Sequence, residues 1–146
     1  HMKESNLKID YKQLNIEDYF DLYKEKFDII TCLEMLEHVP DPSSIINRCA
    51  ALLKPGGSIF FSTINRNPKS FLFAIVGAEY ILKLLPKGTH EYKKFITPSE
   101  LRDWCLINKL DFRNIIGMSY NPFFQEYKLC DDIAVNYIVQ VKFLND

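Results

Sequence analysis

Hydrophobic and polar positions along this chain follow two different periods. Phe27-Asp28-Ile29-Ile30-Thr31-Cys32-Leu33 is a nearly continuous apolar run of aromatic and β-branched residues, the pattern of a strand buried on both faces. Ser58-Ile59-Phe60-Phe61-Ser62-Thr63-Ile64 is a second such run. Between them Asp41-Pro42-Ser43-Ser44 signals a helix start. Asp41 can cap it, Pro42 suits the first helical position, and apolar residues return at Ile45, Ile46, Cys49, Leu52 and Leu53. Lys54-Pro55-Gly56-Gly57 ends the helix. Strand, helix, glycine turn and strand in this order predict a right-handed parallel crossover.

Elsewhere the pattern is shorter or more mixed. Lys8 to Gln13 alternates and predicts a short strand, followed by a helix-like stretch over Ile16–Tyr23. Thr97-Pro98-Ser99-Glu100 opens a further helix, Leu101 to Lys109. Asp111–Tyr120 and Ala134–Phe143 read as two closing strands. No helix precedes the second, so it is expected to fold back antiparallel onto the sheet.

Phe71–Leu85 is apolar and interrupted only by Glu79 and Lys83. As a helix it would be roughly 22 Å long at about 1.5 Å per residue, against a bilayer core of about 30 Å, so it does not span. Two readings stay open for it: an interfacial helix on anionic lipid, or a lid over a site.

Composition adds bounds. The chain of 146 residues, 47% hydrophobic and 25% charged, suits one soluble globular domain over 1–146. A net charge of −1 gives no global field that would draw it to nucleic acid. The charge is uneven, however. Between Arg66 and Lys94 six basic side chains stand against two acidic ones, a basic stretch with an anionic partner or a solvated loop. Four cysteines without a C-x-x-C pair suggest reduced thiols.

Candidate chemistry gathers after the first apolar run. Glu34, Glu37 and His38 stand at i, i+3 and i+4. On a helix they could converge on one cation, and equally they could form a local ion pair on an exposed turn. Asn65 and Arg66 follow the second run and could meet a substrate or simply form a turn. His90 is an acid/base candidate or a loop residue.

The string from Phe27 to Pro42, with Leu52-Leu53-Lys54-Pro55-Gly56-Gly57, resembles the fourth strand and the turn into the fifth of Rossmann-like S-adenosylmethionine-dependent methyltransferases. Phe61–Asn67, Val76–Leu82, Pro86–His90, Lys93–Ile96, Tyr120-Asn121-Pro122 and Val135-Asn136-Tyr137 are similar to the O-methyltransferases of ubiquinone biosynthesis. The resemblance covers about Leu7 to Tyr137 and implies an α/β fold: a partial class I methyltransferase, mostly parallel with an antiparallel last strand and without the first two strands. The Gly-rich turn and ribose-binding acid of that family are not in this sequence, so weak cofactor binding is expected of the chain on its own.

By the same resemblance, Leu33 would lie against S-adenosylmethionine, and Glu34, Glu37 and His38 would hold a divalent cation, magnesium first among candidates. His38 would serve catalysis as well, beside Asn65 and His90, which are candidates by their own placement in the sequence. The reaction implied is methylation of a catechol hydroxyl on a polyprenylated quinone precursor, with 68–94 as a membrane-interacting lid. A cytoplasmic enzyme, peripheral on the inner face of an anionic membrane and in contact with other proteins of ubiquinone biosynthesis, follows from that. A non-catalytic lipid- or partner-binding module is the alternative, as is a methyltransferase for another small molecule. The missing strands would leave one edge of Asp28–Leu33 open, to be met by the Ile9 strand, by a second copy in a homodimer, or by aggregation.

Overall fold

The computed structural model describes residues 8–14, 16, 27–72, 91–121, 124 and 126–144. Strand β1 (Phe27–Leu33) leads through a single 3-10 turn (Leu36–His38) into helix α1 (Pro42–Leu52) and strand β2 (Leu53–Ile64). Short helical turns at Pro68–Ser70 and Tyr92–Lys94 precede helix α2 (Pro98–Ile107). Strands β3 (Leu110–Asn121), β4 (Glu126–Cys130) and β5 (Asn136–Phe143) complete the described chain.

Local chemistry explains the helix ends. The Asp41 side chain accepts from Ser44 N at 3.2 Å, with Pro42 in the first helical position. Thr97 and Glu100 form a reciprocal capping box: Glu100 N donates to Thr97 Oγ1 at 3.3 Å and Thr97 N donates to Glu100 Oε2 at 2.9 Å. At the foot of the sheet Gly56 takes φ 79°, where a side chain would be strained. A Cβ on Gly57 would stand 2.8 Å from the Asp28 carbonyl oxygen, so the turn can approach β1 only without one. The register slips there: Phe27 faces Leu53, but Ile29 already faces Ser58.

The sheet has the order β1-β2-β5-β3-β4. β1 and β2 are parallel, and β5 lies antiparallel between β2 and β3, so β1, β2 and β3 run in one direction. The crossover and the reversed last strand both match expectation. β4, which forms a hairpin with β3, was not foreseen. The expected strand over Lys8–Gln13 is not present: residues 8–14 form neither strand nor helix and are exposed. Of the helix expected over Ile16–Tyr23, only Ile16 lies within the described residues, and it is helical. The 73–90 part of the apolar insertion lies outside them.

Both helices pack on one face of the sheet. Ile59, Phe61, Tyr137, Val139 and Val141 are fully buried there against Ile46 of α1 and Leu101 of α2. Each such aliphatic or aromatic side chain contributes about 1.5–3 kcal/mol of burial. The Tyr137 hydroxyl donates to the Ile96 carbonyl at 2.9 Å, which satisfies a buried polar group. Cys32, Cys49 and Cys105 are buried free thiols in this layer, and burial pushes Cys105 up to about 12. The opposite face is more open, and this corrects the expectation that β1 is buried on both sides. Ile29 is 64% and Leu33 53% exposed, because the described helices cover only the other face.

Candidate functional site

Polar residues collect where β1 and β2 end and β5 begins. Consecutive strand residues point to opposite faces, so Ser62 and Thr63 send their hydroxyls to opposite sides of β2. Each hydroxyl holds one carboxylate. Ser62 Oγ donates to Glu34 Oε1 at 2.8 Å, and Asn136 Nδ2 of β5 donates to Glu34 Oε2 at 3.2 Å. The Glu34 amide in turn donates to Ser62 O at 3.1 Å and Ser62 Oγ at 3.0 Å. These bonds hold Glu34 in the left-handed region, at φ 50°. Glu34 therefore joins β1, β2 and β5 at their shared end.

Glu37 belongs to the helix-covered side. It is 3% exposed, and its Oε2 accepts from Thr63 Oγ1 at 2.8 Å. Its Oε1 is buried with no hydrogen-bond partner among the described residues. Burial holds the Glu34 carboxyl above the ordinary glutamate range, and the Glu37 charge adds to the rise; Ser62, His38 and Asn136 act against it.

The segment 34–38 is not an α-helix, so the i, i+3, i+4 convergence does not form. Only Leu36–His38 makes a helical turn, in which His38 N donates to Met35 O at 2.9 Å and the His38 side chain is exposed. Both Glu34 oxygens and one Glu37 oxygen already accept protein hydrogen bonds. Among the described residues no three His, Cys, Asp or Glu side chains are gathered to hold one metal ion. A magnesium site on Glu34, Glu37 and His38 does not fit this arrangement, and no chemical step is derived through a metal.

The remaining candidates fall as follows. Leu33 ends β1 on the open face, beside Glu34. Asn65 is fixed to the lead-in of β5: its amide donates to Val135 O at 2.7 Å and its Nδ2 to Ile133 O at 3.0 Å. Arg66 is paired with Glu100, the partner of the N-cap Thr97 in the α2 capping box. Lys69 is paired with Asp132 and Lys94 with Glu91, so these described members of the basic stretch are neutralised locally. His90 lies outside the described residues. Sequence reasoning passed over Ser62, Thr63 and Asn136. Two adjacent hydroxyls at the end of an apolar strand were a usable signal. Asn136 stands in the stretch Val135-Asn136-Tyr137, similar to the same family, but at 102 positions from Glu34 nothing in the sequence joined the two.

Comparison with known proteins places this geometry. Residues 3–115 match the family model described as a methyltransferase domain. The ubiquinone biosynthesis O-methyltransferase of Pseudomonas syringae pv. tomato is 57% identical over 140 residues, covering 96% of this chain and 60% of that protein. Its namesake in Hahella chejuensis is 58% identical over 147 residues, covering 100% of this chain and 62% of that protein. The chain thus spans about 60% of the length of the first of these curated relatives. Among solved structures, a methyltransferase from Thermotoga maritima described as a possible histamine N-methyltransferase superposes with a TM-score of 0.60 at 17% identity, covering 82% of this chain and 57% of that one. A protein of echinomycin biosynthesis superposes with a TM-score of 0.63 at 14% identity, covering 99% of this chain and 60% of that one. At such identities the structures speak for the fold alone. By its matched domain the chain belongs to the methyltransferase-domain family, its sheet is shared with solved methyltransferases, and in sequence it is similar to the ubiquinone biosynthesis O-methyltransferases.

Proposed function

We propose that this chain is the acceptor-side part of an O-methyltransferase acting on a catechol hydroxyl of a polyprenylated quinone precursor. The observation that carries the reading is the 57% identity over 96% of the chain to a protein named for that reaction class. S-adenosylmethionine, when bound, supplies a methyl sulfonium that a phenolate attacks far better than a phenol does.

The chain's own residues suit the acceptor side. Glu34 is a half-buried carboxylate with a raised pKa, fixed at the end of the sheet where open α/β folds bind ligands. A base of raised pKa in that position accepts the hydroxyl proton as the methyl group arrives. Ser62 and Asn136 orient it, Leu33 lines the cofactor side, and Asn65 keeps the lead-in of β5 in place. No helix among the described residues is long and apolar enough to cross a membrane. Docking on an anionic bilayer surface would draw on Lys83 and Lys87, outside those residues, and would bring the enzyme to its apolar substrate from the cytoplasmic side. Other proteins of the pathway and self-association at the β1 edge remain parts of the proposal with separate tests.

The deciding experiment joins this chain to the segments of the Pseudomonas syringae relative that lie outside the match. It follows labelled methyl from S-adenosylmethionine into a short-tailed prenyl catechol. Transfer to a ring hydroxyl is expected, and Glu34→Ala should lower kcat by about 10²–10⁴-fold, the usual range for a general base. A hybrid that binds the cofactor yet methylates no phenolic hydroxyl overturns the reading. Added chelator separates the two roles of the carboxylates. Transfer that survives it leaves Glu34 as proton acceptor; loss that magnesium restores returns Glu34, Glu37 and His38 to a metal.

A further inference from the structure

The β3–β4 hairpin carries a surface that the acceptor site does not use. Its register pairs Met118 with Leu129 and Tyr120 with Tyr127, so these four side chains share one face. Ser119, Lys128, Asn121 and Glu126 take the other. The apolar side is open: Tyr120 is 40%, Tyr127 68% and Leu129 63% exposed. The Tyr120 and Tyr127 rings lie 4.7 Å apart at 35°, a preformed aromatic plate. Soluble folds usually blunt an outer strand with charge, but here the charge sits on the opposite side of the hairpin.

The register also connects this strip to Glu34. Met118 faces Asn136 across β5, and Asn136 faces Ile64 across β2. Cross-strand partners point the same way, so Ser62, Asn136 and the apolar strip share one face of the sheet. Directly opposed side chains stand about 4.5–5.5 Å apart, which puts Met118 one strand away from the amide that holds the Glu34 carboxylate.

We propose that this strip seats the linear isoprenoid tail of the acceptor. The tail leaves the ring near Glu34 and Asn136, crosses Met118 and Leu129, and ends against the Tyr120–Tyr127 plate. The inference rests on the acceptor reading given above. Two features select this occupant. The strip's described members on this face are four side chains, against the roughly 20–30 residues a side of a stable protein interface. Among its described residues this face also carries no basic side chain, whereas an anionic lipid surface is recruited through lysine and arginine. A hydrocarbon chain needs neither charge nor hydrogen-bond partners, and it is continuous with a polar head group held one strand away.

The test uses isotopically labelled chain and two probes, farnesol for the tail and 3,4-dihydroxybenzoate for the head. Farnesol should shift the amides of 118–120 and 127–129. The exposed-site double variant Tyr127→Ser, Leu129→Ser should keep its circular dichroism and bind farnesol at least tenfold more weakly, with dihydroxybenzoate unaffected. Unchanged farnesol affinity in the variant, or shifts confined to other segments, overturns the proposal. So does a response seen with phosphatidylglycerol vesicles and not with farnesol, which would mark a lipid surface. Line broadening with protein concentration alone, abolished by the variant, would assign the strip to a second copy instead. Farnesol binding at the strip without dihydroxybenzoate binding supports the tail seat and counts only against the catechol reading.

Discussion

Glu34 is held against two local preferences at once. A non-glycine residue at φ 50° is uncommon, and a carboxylate taken partly out of water is costly when charged. Both are tolerated because Ser62 and Asn136 supply donors from two other strands. The raised pKa means that the folded state holds its Glu34 proton to higher pH than the unfolded chain does. The burden is therefore absent below the unfolded value, grows as pH rises through the folded one, and is full above it. Glu34→Gln should remove that part of the pH dependence: Tm curves of the two proteins should converge in acid and separate toward neutrality, with the variant higher. A variant Tm that falls below wild type by the same amount at every pH would mean that the hydrogen bonds, and not the charge, dominate. The sequence showed Glu34, Glu37 and His38 as a cluster. It could not show that Ser62 and Thr63 divide the two carboxylates between opposite faces, because that depends on strand alternation in a third segment.

Elements set by short-range chemistry were legible, and those set by a partner were not. α1 and α2 begin at the capping residues the sequence offers, since a cap acts over three or four positions. Lys8–Gln13 and Glu126–Cys130 both alternate, yet only the second is a strand. It lies in register with β3, whereas residues 8–14 take no place in the sheet. Period-two patterning marks a segment that can pair, and the ladder decides whether it does. Local control makes α2 a clean test. Thr97→Ala removes the acceptor for Glu100 N and should cost about 1 kcal/mol, while Thr97→Ser should be close to neutral. For a domain of this size that corresponds to roughly 2–4 °C in Tm by calorimetry. Equal Tm values for the alanine and serine variants would show that the Arg66–Glu100 pair, and not the box, holds this helix start.

At the scale of the whole molecule, the family and the parallel β1–β2 pair could be read from motifs because the β1–α1–β2 crossover is contiguous in sequence. Burial could not, because it depends on what lies against each face. β1 is the outermost strand of the described sheet, and Ile29 and Leu33 stand exposed beside its edge at 64% and 53%. Of the partners expected for that edge, the Ile9 segment is not used, since 8–14 forms no strand. Asp28, the charge on this strand, is already engaged by Lys54 Nζ at 2.9 Å and does little to repel a neighbour. An apolar outer strand of this kind is a template for another copy. The chain should therefore associate with rising concentration in light scattering. Ile29→Lys places a charge on the exposed side of β1, where a substitution changes folding stability by no more than about 0.5 kcal/mol. It should shift the association to higher concentration without changing the urea midpoint of the monomer. A wild-type chain that stays monomeric across the accessible concentration range, with slowly exchanging β1 amides, would mean that the edge is already covered from within.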